Sequence, residues 1–196
     1  MMSNVLSEQN SKHIDLLNKK VAILLATGFE ERDYNMFQKF FAGAGAHLKL
    51  VSTDQGLVTS WTDNGWGHNF AVDVPLNKAL ASDFAICVVP GGHRSLEKLV
   101  LSAHSSRFLN GFLASGKPVI TVDEAAGFLS RIHVRESDVL EAMLNRSSDA
   151  EEAFRFVAVP NLTLYGIKTD GDTDFQEELC HITEHFASFK ASKRAA

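Results

Sequence analysis

Apolar positions recur along this chain in two rhythms, and the two alternate from one end to the other. Residues 20–26 are apolar from Val21 onward and end in Thr27 and Gly28, the pattern of a central parallel strand covered on both faces. Residues 31–44 carry Met36, Phe37, Phe40 and Phe41 at helical spacing, and Gly43 or Gly45 closes that helix. Residues 47–52 alternate as a strand and complete a βαβ unit. Residues 56–72 hold several turn formers with Trp61 and Trp66, which predicts short antiparallel strands or a β-ribbon. A helical turn over 76–80 then feeds a third core strand, 84–89, ended by Pro90, Gly91 and Gly92.

Downstream, the pattern predicts helical segments over 96–101 and 105–114, a strand over 118–122, and helices over 124–131 and 137–145. Two late strands, 155–159 and 162–167, precede an amphipathic helix over 174–190, with Asp172, Thr173 or Asp174 placed to cap its start. Strands and helices alternating over the full length imply an α/β fold: flavodoxin-like, three-layer and doubly wound, with a mainly parallel sheet. No repeat or long linker divides the chain, so the expected organisation is an N-terminal extension over 1–18, one domain over 19–190 and a C-terminal tail over 191–196. A short helix over 12–17 is expected in the extension.

Composition narrows the function classes. With 196 residues and 45% hydrophobic content the chain can build one full core. Nineteen basic against 24 acidic residues give a formal charge of -5 without a basic face, which argues against nucleic-acid binding. No apolar stretch approaches the roughly 20 residues of a membrane span, and residues 1–18 lack the apolar core of a signal peptide. A cytoplasmic protein is therefore expected. Cys87 sits inside an apolar run as a core thiol and Cys180 within a helical pattern, neither in a C-x-x-C motif, in keeping with a reduced compartment.

Candidate chemistry collects at three predicted strand ends: Gly28-Phe29-Glu30-Glu31-Arg32-Asp33, Pro90-Gly91-Gly92-His93 and Asp123-Glu124. In doubly wound sheets, ligands bind beyond the carboxyl ends of the strands. Residues 117–127 read as a strand running into a sharp turn and a helix, an elbow that presents one side chain beside backbone N–H groups. That side chain is Asp123, and an ionised carboxylate is a poor nucleophile toward amides.

Together these motifs, with Gly43-Ala44-Gly45-Ala46-His47 before the second strand, resemble the ThiJ/PfpI superfamily over roughly residues 20–189. That superfamily shares the class I glutamine amidotransferase-like fold and includes the parkinsonism-associated deglycase. The chain is similar in particular to the C-terminal domain of large-subunit catalases. The resemblance implies that Asp33 stands where catalytic members carry Glu, Asp123 where they carry the nucleophilic Cys, and Glu124 where a His often follows. It implies loss of the thiolate, which neither Cys87 nor Cys180 can replace from its position. It further implies an oxyanion-hole-like backbone at Gly92, Glu124 and Ala125, no cofactor or resident metal, and a homodimer.

Several readings of the acidic elbow stay open. Asp123 and Glu124 can cap the helix that follows, line a pocket for a small polar ligand, or serve acid–base or metal-assisted chemistry. Asp33 and Asp123 are expected to share a proton if they touch as the corresponding groups do in the superfamily. His93 could complete a zinc site, though a lone His after a glycine turn is more often a surface residue, and His68, His104, His133, His181 and His185 show no ligand pattern. Trp61, Trp66 and Phe70 suit either an aromatic wall over the pocket or a buried subunit contact. Ser95, Ser115 and Ser130 lack the Gly-x-Ser-x-Gly context of serine hydrolases. The expected function is a non-hydrolytic pseudoenzyme with a binding or structural role. The alternatives are a carboxylate-based lyase or hydratase, or a residual amidase or protease.

Overall fold

A computed structural model of the chain describes residues 16–132, 134, 156–158, 164–167 and 175–195. The expected helix over 137–145, the caps at 172–174, His133 and most of the expected helix over 12–17 lie outside these residues.

The first βαβ unit forms as its pattern predicts: β1 (Lys20–Leu24), α1 (Glu31–Gly43) and β3 (His47–Ser52), with β1 and β3 parallel and Ile23 opposite Leu50. The remaining sheet strands are β6 (Val74–Pro75), β7 (Ile86–Val89), β8 (Val119–Val122), β9 (Phe156–Ala158) and β10 (Leu164–Ile167). They make a seven-stranded sheet in the order β6-β3-β1-β7-β8-β10-β9, parallel except for the β9–β10 pair. The chain grows outward from β1 through β3 on one side and through β7 on the other. That reversal opens a crevice beyond the carboxyl ends of β1 and β7.

Two buried clusters sit on opposite faces of this sheet, and the strand pleat sorts side chains between them. Val21, Ile23 and Leu25 point to the face covered by Phe37 and Phe41 of α1 and by Leu179 and Ile182 of α5 (Phe175–Ala195). Ala22, Leu24 and Ala26 point the other way, against Leu96 and Leu99 of α2 (His93–Val100), Phe108 and Phe112 of α3 (Ala103–Ala114), and Phe128 of α4 (Ala125–Arg131). Helices on both faces of a mostly parallel sheet give the flavodoxin-like three-layer architecture. β7 and β8 are buried along their whole length because both faces are roofed.

The structure departs from the sequence pattern in four places. Phe29–Glu30 forms a two-residue strand, β2, which pairs with β4 (Leu57–Thr62); β4 in turn pairs antiparallel with β5 (Gly65–Ala71), making a separate three-stranded sheet. Two residues are too few to show periodicity, so only the long-range pairing Glu30 to Trp61 reveals β2. The turn expected over 76–80 continues into a 3₁₀ turn, Ala81–Asp83. Helix α5 runs to Ala195, through the segment read as a C-terminal tail. At the other end Leu16, within the expected extension, is buried in the α1–α5 core cluster.

Candidate functional site

The elbow after β8 has the backbone that its sequence predicts. Asp123 adopts φ +45°, in the left-handed region that a residue with a Cβ enters at a cost and that Asp tolerates better than most. Its N–H donates to the Ile167 carbonyl of β10 at 2.9 Å, and its own carbonyl accepts from the Ala126 N–H at 3.2 Å, so the bend is held from both sides. The amides of Glu124 and Ala125 lie where α4 begins.

Facing this elbow is the turn after β7. Gly92 has φ +113°, and a Cβ there would lie 2.7 Å from the Glu30 nitrogen, the Gly28 oxygen and the Phe29 Cα. Only glycine fits so close to the β2 backbone. The Gly91 carbonyl accepts from the Glu30 N–H at 3.0 Å, which ties the turn to β2.

Both glycine amides of the turn are taken by carboxylates. The Gly91 N–H donates to Asp33 Oδ2 at 2.8 Å, and the Gly92 N–H donates to Glu124 Oε1 at 2.8 Å. The Gly92 amide, expected from sequence to be available as an oxyanion donor, is thus occupied by the chain's own side chain. Asp33, in the first turn of α1, is only 4% exposed, whereas Glu124 is exposed. Burial pushes the Asp33 carboxyl up to about 7; the Gly91 hydrogen bond opposes that shift, while the charges of Asp123, Glu30 and Glu124 reinforce it. Burial likewise raises Glu30, with Asp63 and Glu124 adding repulsion.

These groups line a cavity of about 380 Å³ whose walls include Glu30, Glu31, Asp33, Asp63, Asp123 and Glu124, together with Arg32, Asn35 and Thr62. Asp33, Asp123, Glu124 and Gly92 thus lie on the wall of one cavity. Asn35, Thr62 and Asp63 were not among the candidates. Thr62 and Asp63 arrive from the ribbon because β2 and β4 pair in the register that sets Glu30 beside Trp61. Among the described residues no group of three or more His, Cys, Asp or Glu side chains is arranged to hold a metal ion.

The ribbon is fastened to the body around this cavity. Glu31 accepts from the Ser60 hydroxyl and from the His68 N–H at 3.1 Å, and its other oxygen lies 2.7 Å from His68 Nδ1. The Ser60 hydrogen bond leads the forces that hold Glu31 below its ordinary carboxylate range. Trp61 and Trp66 stand edge to face at 5.2 Å, with the Arg94 guanidinium 3.8 Å above the Trp61 ring. Neither indole is part of the cavity wall, and Phe70 packs instead on Phe29 and Tyr34.

The remaining candidates lie elsewhere. Cys87 is fully buried in β7, and burial drives its thiol far above the ordinary range. Cys180 is half-buried on α5 and is also raised, by burial first and then by Glu184 and Glu177. Ser95 is a buried strut that accepts from the Ala26 N–H at 2.8 Å. His93 is exposed and sits 3.9 Å from Glu97. His181 and His185 are exposed on α5, and His185 Nδ1 lies 3.3 Å from the Tyr165 hydroxyl.

Comparison with known proteins places this geometry in context. A model of the DJ-1/PfpI family matches residues 19–143. General stress protein 18 of Bacillus subtilis is 26% identical over 106 residues, which is 54% of this chain and 60% of that protein. The chain thus spans about 60% of the length of the curated relatives that it matches. Among solved structures, a two-domain protein from Anabaena variabilis with DJ-1/ThiJ/PfpI-like and ferritin-like domains superposes with a TM-score of 0.64 at 20% identity, over 89% of this chain and 48% of that one. Oxidized DJ-1 from Toxoplasma gondii superposes with a TM-score of 0.60 at 14% identity, over 90% and 98% of the two chains. At these identities the structural likenesses speak for the fold alone.

Proposed function

The chain belongs to the DJ-1/PfpI family, and from that premise we propose that it is a pseudoenzyme, a member that binds a small polar ligand without hydrolysing it. The observation that carries this reading is the elbow itself. Asp123 occupies the φ +45° position where a nucleophile would project, and the adjacent Gly92 donor is taken by Glu124. A carboxylate at that point cannot supply the thiolate that acyl or hemithioacetal chemistry needs. Cys87, sealed within β7, cannot reach the cavity in its place. A dimeric assembly, which rests on the family resemblance, and a cytoplasmic setting, which rests on the sequence pattern and the two isolated cysteines, belong to the same proposal.

A second reading has its own support. Asp33 is buried beside an open cavity and holds its proton up to about 7, the range in which a carboxyl can act as general acid or base near neutral pH. On this reading Asp33, raised further by the nearby Asp123 carboxylate, serves a lyase or hydratase. One experiment separates the two readings. Purified protein is assayed against a panel of amides, esters and small hydroxy acids, and the same sample is weighed by light scattering. The pseudoenzyme reading expects no turnover above background, at a molar mass near twice 21.5 kDa. Turnover that disappears in Asp33→Asn would overturn it in favour of carboxylate chemistry.

A further inference from the structure

Asparagine precedes glycine twice in this chain, at Asn64-Gly65 and at Asn110-Gly111, and the fold treats the two pairs differently. Asp63 and Asn64 make the turn between β4 and β5, with Thr62 paired to Gly65 across it. The Asn64 side chain is exposed, and no described residue hydrogen-bonds it. Gly65 has φ +125°, and a Cβ added to it would meet nothing within 4 Å. Asn110 lies instead inside α3, half-buried, with its Nδ2 donating to the Ser106 hydroxyl at 3.1 Å. Gly111 is pressed against Ala81, whose Cβ would lie 2.9 Å from an added Cβ. In a helix its N–H is directed along the axis to a carbonyl of the preceding turn.

We infer that Asn64 is a self-modification site, at which the Gly65 nitrogen turns the side-chain amide into a carboxylate while Asn110 is spared. The Gly65 nitrogen, its proton taken by base in solution, attacks Asn64 Cγ. The N–Cγ bond forms, the Cγ–Nδ2 bond breaks, and the leaving nitrogen picks up a proton from solvent and departs as ammonia. The cyclic succinimide that remains is opened by water at either carbonyl. Opening at Cγ leaves aspartate, whereas opening at the main-chain carbonyl leaves isoaspartate, whose backbone runs through the former side chain. Ring closure needs a nitrogen that can swing onto Cγ, which a glycine without a Cβ permits in an open turn. The helical ladder holds the Gly111 nitrogen away from that path. Either product adds a negative charge to a chain of formal charge -5, next to Asp63 on the wall of the acidic cavity. Isoaspartate also lengthens the main chain between Thr62 and Gly65, where the Thr62 hydroxyl donates to the Gly65 carbonyl at 3.1 Å.

The two pairs test each other within one molecule. The full chain is incubated in mildly alkaline buffer, sampled over days, and digested for peptide mapping by mass spectrometry. Conversion is read as a gain of about 1 Da on the peptide that holds each asparagine. Each native rate is divided by the rate of the same site in the chain unfolded in guanidinium chloride, which removes the influence of neighbouring residues. That quotient is expected to be at least about tenfold larger for Asn64 than for Asn110, whose conversion must wait for α3 to open locally. Similar quotients at the two sites would overturn the inference, since the dipeptide and not the fold would then decide. So would an Asn64 that stays intact in the native chain over a period in which the unfolded chain converts it. The product at Asn64 should elute as two isomeric peptides, aspartate and isoaspartate. A single aspartate product would mean direct hydrolysis and would overturn the ring-closing step.

Discussion

The two rims of the central sheet are neutralised by opposite chemistry. At the carboxyl ends of the strands, backbone N–H groups face the cavity and are met by carboxylates, Asp33 on Gly91 and Glu124 on Gly92. At the amino ends a larger cavity, about 530 Å³, is lined by Lys19, Lys20 and Lys117 among others. There the exposed backbone groups are carbonyls, and Lys117 Nζ donates to those of Ala81 at 2.8 Å, Ser82 at 3.2 Å and Phe84 at 2.7 Å. Of the three ammonium groups lining the larger cavity, that of Lys117 is committed to three carbonyls. In the smaller cavity one exposed side chain holds one amide through one bond. Chemistry at the wall, rather than volume, distinguishes a site from a gap.

This contrast can be broken or sharpened by substitution. The largest effect is expected from Gly92→Ala, which combines a φ of +113° with a Cβ pressed at 2.7 Å against three backbone atoms. A loss of about 4 kcal/mol should appear in the denaturant midpoint, from strain and overlap together; a loss below about 1 kcal/mol would show that the turn can relax and that its amide is not held rigidly.

A middle-sized effect is expected from pH. Burial holds the Asp33 carboxyl up to about 7 in the fold against an ordinary 3.8, so between those limits the folded chain keeps a proton that the unfolded chain has released. Its contribution to stability is fully present below about pH 4 and is lost as pH rises through about 7. Stability measured at pH 5 and pH 8 should fall by about 2 kcal/mol more in the wild type than in Asp33→Asn. Parallel pH curves for the two proteins would mean that Asp33 ionises as an ordinary surface carboxylate.

The smallest effect belongs to the opposite rim. Gly116 has φ +63° but open space around its missing Cβ, so Gly116→Ala should cost about 1 kcal/mol, from backbone strain alone. A cost as large as that of Gly92→Ala would erase the distinction between the rims.

How far the sequence carried the fold follows from what periodicity can encode. The runs through Val21, Ile86 and Val119 were legible as buried strands because both of their faces lie in the core, and α1 was legible through Phe37 and Phe41. Strand β2 was not, since two residues show no period and the second is a glutamate. The same gap hid part of the site. Asp33, Asp123 and Glu124 stand in motifs next to strand ends, so their convergence could be anticipated. Thr62 and Asp63 reach the cavity only through pairing between residues about thirty positions apart, from Glu30 to Trp61. Nor does any pattern say which way a surface carboxylate turns. That Glu124 folds back onto Gly92 emerges only when the elbow and the turn stand face to face.

Both tryptophans of the chain stand in the ribbon, edge to face at 5.2 Å, with the Arg94 guanidinium over Trp61. The protein's indole fluorescence therefore comes wholly from one ribbon beside the candidate site. A ring pair so close and so nearly perpendicular is also placed to couple its transitions and mark the circular dichroism spectrum. Any event that lifts the ribbon from α2 would separate Arg94 from Trp61 and register in both signals. The fold thus carries its own optical gauge of the Arg94–Trp61 contact, without an added label.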